Sequence, residues 1–306
     1  MILIAAPGQG SQTPGFLAPW LELEGVRDTL GELGEAAQVN LIEHGTNSDA
    51  ETIKDTKIAQ PLIVAAGIVA YDALVKQAEQ FGSATAGHSV GELTAMYVAG
   101  ILAREEAMRL VGIRGRAMAD AAALTPTGMA AVIGANEDEL ATVLESLGLS
   151  AANYNGGGQI VVAGDRNALD KLAAEPPAKA RVIPLQTAGA FHTHFMEPAV
   201  ATLREAADDI DVDNPQIPIY SNHHGAVVES ARTFMDLVVG QVASPVRWDK
   251  SMETFVEDGI EGMIELAPAG ALTGLAKRGM RGTPVVAIKT PDDLEAAAQL
   301  LKGESA

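Results

Sequence analysis

The stretch Gly87-His-Ser-Val-Gly91 has the spacing GxSxG. A serine flanked this way suits a sharp turn from strand to helix, in which the glycines let the backbone pass closely and the hydroxyl projects at the helix start. The N–H of the next residue, Val90, then faces an oxyanion developing on an attacked carbonyl, and the helix dipole adds favourable charge there. The chemistry on offer is nucleophilic attack by Ser89 on an ester or thioester. A chain with 31 Gly also produces such strings by chance, so the strand before the motif and the helix after it carry the reading.

A serine nucleophile needs a base. Of the six histidines, His44, His88, His192, His194, His223 and His224, His192 is the candidate. Read as a helical residue, it shares a stripe with Met196, Ala199 and Leu203, while His194 lies about 200° away and faces solvent. A helix N-terminus would also disfavour the imidazolium and keep the ring basic. The alternative for His192 is a core or capping histidine. No metal site is expected: His192 and His194 point to different faces, and His223-His224 sit in a polar turn without a carboxylate.

Arg114 is the most informative charge. Helical phase sets it with Ala107, Leu110, Val111 and Met118 on an apolar stripe, while Arg109 and Arg116 point elsewhere. A guanidinium is rarely buried without an anion. Either it forms a structural ion pair with a distant carboxylate, or it grips a substrate carboxylate through two parallel N–H donors.

The elements that must position these groups alternate. A buried strand over 1–6 delivers the turn-rich Pro7-Gly-Gln-Gly-Ser-Gln12, and helical patterns follow at 59–79, 91–100 and 104–123, with a short strand at 83–86. From 129 to 186 the order is strand, helix, strand, strand, helix, strand, the ferredoxin-like βαββαβ pattern. The expected fold is therefore α/β: a large α/β-hydrolase-like parallel-sheet domain (1–122 and 193–306) interrupted by a ferredoxin-like small domain (123–192). A helix over 193–207 and strands near 217–220, 262–266 and 285–288 complete the large domain.

Composition narrows the function. The chain has 306 residues, 47% apolar, with no cysteine, so disulfides, thiolate zinc and thiol nucleophiles are out. A net charge of −19 repels phosphate backbones and anionic lipid, so neither a nucleic acid nor a membrane is an expected partner. No basic residue precedes the opening apolar run, and the apolar window from Pro61 to Ala70 ends at Tyr71-Asp72, about half a membrane span. A cytoplasmic protein is expected. Without an exposed repeat or heptad, so is a monomer. The histidine order differs from an ordinary α/β hydrolase, in which the catalytic histidine comes last; here none lies beyond His224.

These residues together resemble the malonyl-CoA:acyl carrier protein transacylases and the related acyltransferase domains of fatty acid and polyketide synthases. The resemblance spans the whole chain. It rests on Pro7-Gly-Gln-Gly-Ser-Gln12, Gln60-Pro61, Gly87-His-Ser-Val-Gly-Glu92, Arg114-Gly-Arg116, Asn153-Tyr-Asn155 with Gln159, Ala190-Phe-His-Thr193, Gln241 with Pro245-Val-Arg-Trp248, and Glu265-Leu-Ala-Pro268 with Leu272 to Arg278. It implies that Ser89 is acylated, that His192 is base and acid, that Arg114 holds the malonyl carboxylate, and that Gln60 and Phe191 line the substrate site. The oxyanion hole would come from the N–H groups of Gln12 and Val90, and the Gln241 carbonyl would orient His192 in place of an aspartate. Phe191 matches the malonyl-type version, where methylmalonyl-selective relatives carry serine. Ala267 and Ala269 depart from the pattern, since many relatives have glycine there.

The implied reaction takes malonyl from malonyl-CoA to the phosphopantetheine thiol of acyl carrier protein. Coenzyme A enters as substrate, and no cofactor is expected. The chain's length favours a role in fatty acid synthesis over a stand-alone polyketide acyltransferase. A serine hydrolase or thioesterase with the same elbow would not need Arg114, and a non-catalytic binding module would have no use for Ser89 or His192. Acyl carrier proteins are themselves acidic, so the −19 needs a local exception. Residues 1–103 hold 12 acids and 4 bases, but 277–289 hold four bases and no acid. Lys179, Arg181, Lys277, Arg278 and Arg281 are the expected carrier-docking rim.

Overall fold

The computed structural model describes residues 1–303. Its strands are β1 (Ile2–Ala6), β2 (Ala84–Gly87), β3 (Thr127–Ile133), β4 (Ser150–Gly156), β5 (Gln159–Asp165), β6 (Arg181–Leu185), β7 (Ile219–Tyr220), β8 (Val246–Arg247), β9 (Gly262–Glu265) and β10 (Val285–Ala287). They form two sheets.

The first sheet is parallel throughout, in the order β10-β9-β1-β2-β7. Its central strands read as unbroken apolar or small runs, Ile-Leu-Ile-Ala-Ala in β1 and Ala-Thr-Ala-Gly in β2, because helices cover both faces. One such helix, Thr56–Ala78, is apolar nearly all round and packs against the helices Arg104–Ala123, Gly91–Val98 and Leu294–Leu301. Its 23 residues, with a window of mean hydropathy 1.8, are long and apolar enough to cross a membrane, yet 78% of that window is buried inside the fold. The sequence reading ends this apolar run at Asp72. The helical pattern read over 59–79 runs through that point, and Asp72 within the helix accepts a hydrogen bond from the Tyr97 hydroxyl at 2.6 Å at the edge of the core.

The second sheet has the order β6-β3-β5-β4-β8. Strands β3 to β6, with helices Glu137–Leu147 and Arg166–Ala174, follow the βαββαβ order, β3 pairing antiparallel with both β5 and β6. Thus the chain is an α/β-hydrolase-like parallel-sheet fold with a ferredoxin-like insertion. The expected small-domain span, 123–192, omits one strand. β8 comes from the large domain's part of the chain and adds in parallel to β4, pairing Asn153 with Val246 and Tyr154 with Arg247. Two residues carry no readable alternation, so this strand exists only through its partner. β7, also two residues long, begins later than the sequence suggests.

Two loops leave the carboxyl edge of the first sheet side by side: Pro7–Gln12 after β1 and His88–Val90 after β2. That edge is where parallel sheets place ligands. A third wall comes from the helix Ala271–Gly279. Glu265, fully buried at the end of β9, holds its start by accepting from the N–H groups of Gly270 (2.8 Å), Leu272 (2.9 Å) and Thr273 (2.8 Å) and from the Thr273 hydroxyl (2.6 Å). The carboxylate satisfies donors that a helix start leaves unpaired. In the loop between, Ala269 takes φ +52°, a left-handed conformation that a glycine would adopt without a Cβ penalty. Ala267 beside it is fully buried.

Candidate active site

Ser89 sits at φ +53°, the strained left-handed corner that a strand-turn-helix elbow requires. The turn is tight because both flanking glycines touch backbone. A Cβ on Gly91 would collide with the Ala6 carbonyl, and one on Gly87 would collide with the main chain of Gly91. Asn222, buried after β7, ties the corner down. Its Oδ1 accepts from the Ser89 N–H at 2.7 Å and its Nδ2 donates to the Gly87 carbonyl at 2.7 Å. Gly91→Ala is expected to destabilise the protein by about 1–3 kcal/mol, since the colliding atoms are backbone and cannot rotate away. Thermal unfolding measures this, and an unchanged midpoint would show that the β1 loop yields freely.

His192 lies 2.7 Å from Ser89, Nε2 to Oγ. Its position does not come from helical phase. The helix begins only at Glu197, and His192 precedes it in a turn at φ +61°. The residue is fixed instead by the end of the helix Ala231–Gln241: its N–H donates to the Val242 carbonyl at 2.9 Å, and Nδ1 donates to the Gln241 carbonyl at 2.8 Å. A carbonyl only accepts, so Nδ1 carries the proton and Nε2 is free to take the serine's. Burial, with the Arg114 charge adding to it, pushes the imidazole down to about 3 and keeps it neutral. This replaces the helix-terminus explanation. His194 is exposed, as the phase predicts.

Arg114 is fully buried and lies in the same few ångströms. Nη2 donates to Gln241 Oε1 at 2.8 Å and to Ser89 Oγ at 3.3 Å, and Nη1 donates to Gln60 Oε1 at 2.7 Å. Gln60 thus orients the guanidinium as well as lining the cleft. Among the described residues Arg114 makes no ion pair, and its Nε has no acceptor. The structural ion pair considered from sequence is therefore absent there. The nearest anionic influence is Glu92, buried behind the serine. Burial pushes its carboxyl up to about 8, but its oxygens face the N–H groups of Asn222 and Gln241, an arrangement that fits the ionised form. Asn222 escaped the sequence reading, and Glu92 entered it only inside the motif string; no local pattern marks either.

The cleft holds about 700 Å³ and is lined by Gln12, Gln60, Ser89, Phe191, His192, Leu275 and Arg278, among others. The Gln12 side chain is engaged within its own surroundings, accepting from Gly10 N–H at 2.8 Å and donating to the Ile53 carbonyl at 3.0 Å. Its backbone N–H and that of Val90 meet no acceptor among the described residues. Two such donors beside a nucleophile can receive an oxyanion. The cleft is bridged twice between the sheets. His88 Nε2 meets Asn155 Oδ1 at 2.9 Å at its base, and Lys54 Nζ donates to Gln186 Oε1 at 2.9 Å at its mouth.

Of the five residues expected to form a basic rim, only Arg278 lines the cleft, packed against Gly157 of the turn between β4 and β5. Lys179 and Arg181 are exposed where β6 begins, and Lys277 and Arg281 are exposed without lining the cleft. Lys54 was not foreseen. It also borders a second depression of about 790 Å³ with Lys57, Arg116 and Arg166, partly offset by Glu51, Asp55 and Asp120.

An elbow serine lining the cleft, a neutral imidazole in contact with it and a buried guanidinium within hydrogen-bonding reach of its hydroxyl define an enzyme of the acyl-transferring class. The chain belongs to the acyl transferase domain family, whose pattern it matches over residues 6–297. It is 47% identical over 302 residues to the malonyl CoA-acyl carrier protein transacylase of Mycobacterium tuberculosis, covering 98% of this chain and all of that one. A crystal structure of MCAT from Mycobacterium tuberculosis superposes with a TM-score of 0.94 at 47% identity, covering 97% and 99% of the two chains. A complex described as a type II PKS acyl-carrier protein with its malonyl-transacylase matches with a TM-score of 0.92 at 28% identity, covering 98% and 99%.

Proposed function

We propose that this chain moves a malonyl group from malonyl-CoA to the phosphopantetheine thiol of an acyl carrier protein, through a malonyl ester on Ser89. The observation that carries the reading is that Arg114 Nη2 lies 3.3 Å from Ser89 Oγ. In a malonyl ester the two carbonyl carbons are separated by one methylene, about 2.5 Å with C–C bonds of about 1.52 Å. A guanidinium this near the nucleophile suits a short acyl group ending in a carboxylate. The relatives named above support the same donor and acceptor.

In the forward step His192 Nε2 takes the Ser89 proton, and Oγ adds to the thioester carbon. The oxyanion rests on the N–H groups of Gln12 and Val90. The C–S bond breaks, and His192 returns its proton to the departing coenzyme A thiolate. The carrier's thiol then gives its proton to His192 and attacks the ester, restoring the serine hydroxyl. Phe191 is buried and lines the cleft beside His192, which supports its assignment as the residue that selects malonyl over the bulkier methylmalonyl group. Peptide mass spectrometry after incubation with malonyl-CoA tests the cycle. A malonyl adduct on Ser89 that moves to added carrier is expected, while malonate released at the same rate without carrier would identify a hydrolase.

The carrier brings its own negative charge to a chain of −19. Arg278 lines the cleft, and Lys277 next to it in the chain and Arg181 at the start of β6 are both exposed. Reversing both to glutamate is expected to raise the apparent KM for carrier several-fold, at low salt most of all. Acylation by malonyl-CoA should hardly change. Equal damage to both half-reactions would remove these residues from the docking surface.

A further inference from the structure

Behind Ser89 the side chain of Gln241 stands between two buried groups, the Arg114 guanidinium and the Glu92 carboxyl. Its Oε1 accepts from Arg114 Nη2 at 2.8 Å, and its Nε2 donates to Glu92 Oε2. The Ser89 carbonyl and Asn222 Oδ1, both at 3.2 Å, share the remaining Nε2 proton. Glu92 Oε1 accepts from the Asn222 N–H at 2.6 Å. The Gln241 main-chain carbonyl holds His192. One amide thus connects the carboxylate receptor to a carboxyl group that has no place in the acyl-transfer steps.

We propose that Glu92 is a positioning residue for substrate selection: it fixes which way the Gln241 amide faces, and through that amide where the Arg114 guanidinium sits. The inference rests on the malonyl-transfer reading. An amide has two nearly isosteric orientations, and only one turns its oxygen to Arg114. The flipped one sets an NH2 group against guanidinium donors. Both Glu92 oxygens meet N–H donors, from Asn222 and from Gln241, so the carboxyl can only accept at Nε2 and holds the amide in the productive orientation.

Replacing Glu92 by glutamine exposes the dependence, because the new amide has no satisfactory placement. With its NH2 toward Gln241, two donors meet, and Gln241 relieves the conflict only by flipping and opposing Arg114. With its NH2 toward Asn222, it opposes that N–H instead. Buried donors facing one another lose their hydrogen bonds outright, and the neighbour that can still move is Arg114. A defect of this kind acts on substrates that need the guanidinium and spares those that do not.

The test is single-turnover acylation of the full-length protein by malonyl-CoA and by acetyl-CoA. Glu92→Gln is expected to lower the malonyl-to-acetyl ratio by about tenfold or more, the worth of a hydrogen bond to a charged group. Glu92→Asp, which keeps an acceptor-only group, should recover most of the ratio even if both rates fall. Gln241→Ala should lower the ratio too, and adding Glu92→Gln to it should lower the ratio no further. Equal slowing of both substrates in Glu92→Gln, or additive losses in the double variant, would overturn the proposal. Should Glu92→Gln not fold, an Asp variant that discriminates as poorly as Arg114→Ala overturns it equally. A wild-type protein that accepts no malonyl group would instead refute the transfer reading itself.

Discussion

Ser89→Ala protein incubated with malonyl-CoA is expected to carry no malonyl group on any peptide, and its rate of transfer to carrier should fall by about 10⁴–10⁶, as for loss of other activated serines. The size of the effect follows from the geometry. Removing Oγ leaves His192 Nε2 without the proton it is placed to accept at 2.7 Å, and nothing nearby substitutes. The chain has no cysteine, so no thiol competes for the acyl group. The fold should survive, because the Ser89 N–H still bonds to Asn222 and alanine tolerates the corner no worse than serine. A malonyl adduct that persists on another residue in the variant would displace Ser89 from its role.

Arg114→Ala should abolish the preference for malonyl over acetyl thioesters, a loss of about 10²-fold or more for a buried, doubly bonded carboxylate. The ratio is the diagnostic quantity. The variant also strips partners from Gln60, Gln241 and Glu92, so absolute rates will fall for reasons unrelated to the substrate. Arg114→Lys sharpens the test. A lysine supplies the charge but not the planar fork, so it should recover part of the ratio and little of the rate. Discrimination that survives in the alanine variant would mean that the carboxylate is read elsewhere, and Lys54 at the mouth would be the next residue to change.

Features that lie within one stretch of chain were legible in the sequence. The GxSxG turn, the apolar stripe that buries Arg114 and the βαββαβ order all depend on spacing shorter than one supersecondary unit. What was not legible depends on pieces brought from far apart. Asn222 reaches the elbow across more than a hundred residues, and nothing around it departs from an ordinary polar turn. His192 shows the difference most clearly. Helical phase selected it, yet the structure holds it by a positive φ and by carbonyls from another helix. A short-range pattern and a long-range bond gave the same orientation for different reasons. The helix Thr56–Ala78 follows the pattern read over 59–79, but the contact of Asp72 with Tyr97 on a separate element lay outside any local reading.

The parallel pairing of β8 with β4 bears on how far this fold can be taken apart. The insertion looks like a cassette, entered and left at neighbouring points of the chain. Its edge strand β4, however, is roofed by Val246 and Arg247, which the host supplies well after the insertion has ended. Excised alone, the cassette would bare the β4 edge and become prone to sticking to its own copies. Chimaeras that exchange cassettes between relatives to alter acyl preference should therefore carry Val246-Arg247-Trp248 with the graft. Trp248 belongs in the set because it packs edge-on against His88, its ring centroid 5.6 Å away, so the seam between the two parts runs directly beside the nucleophile.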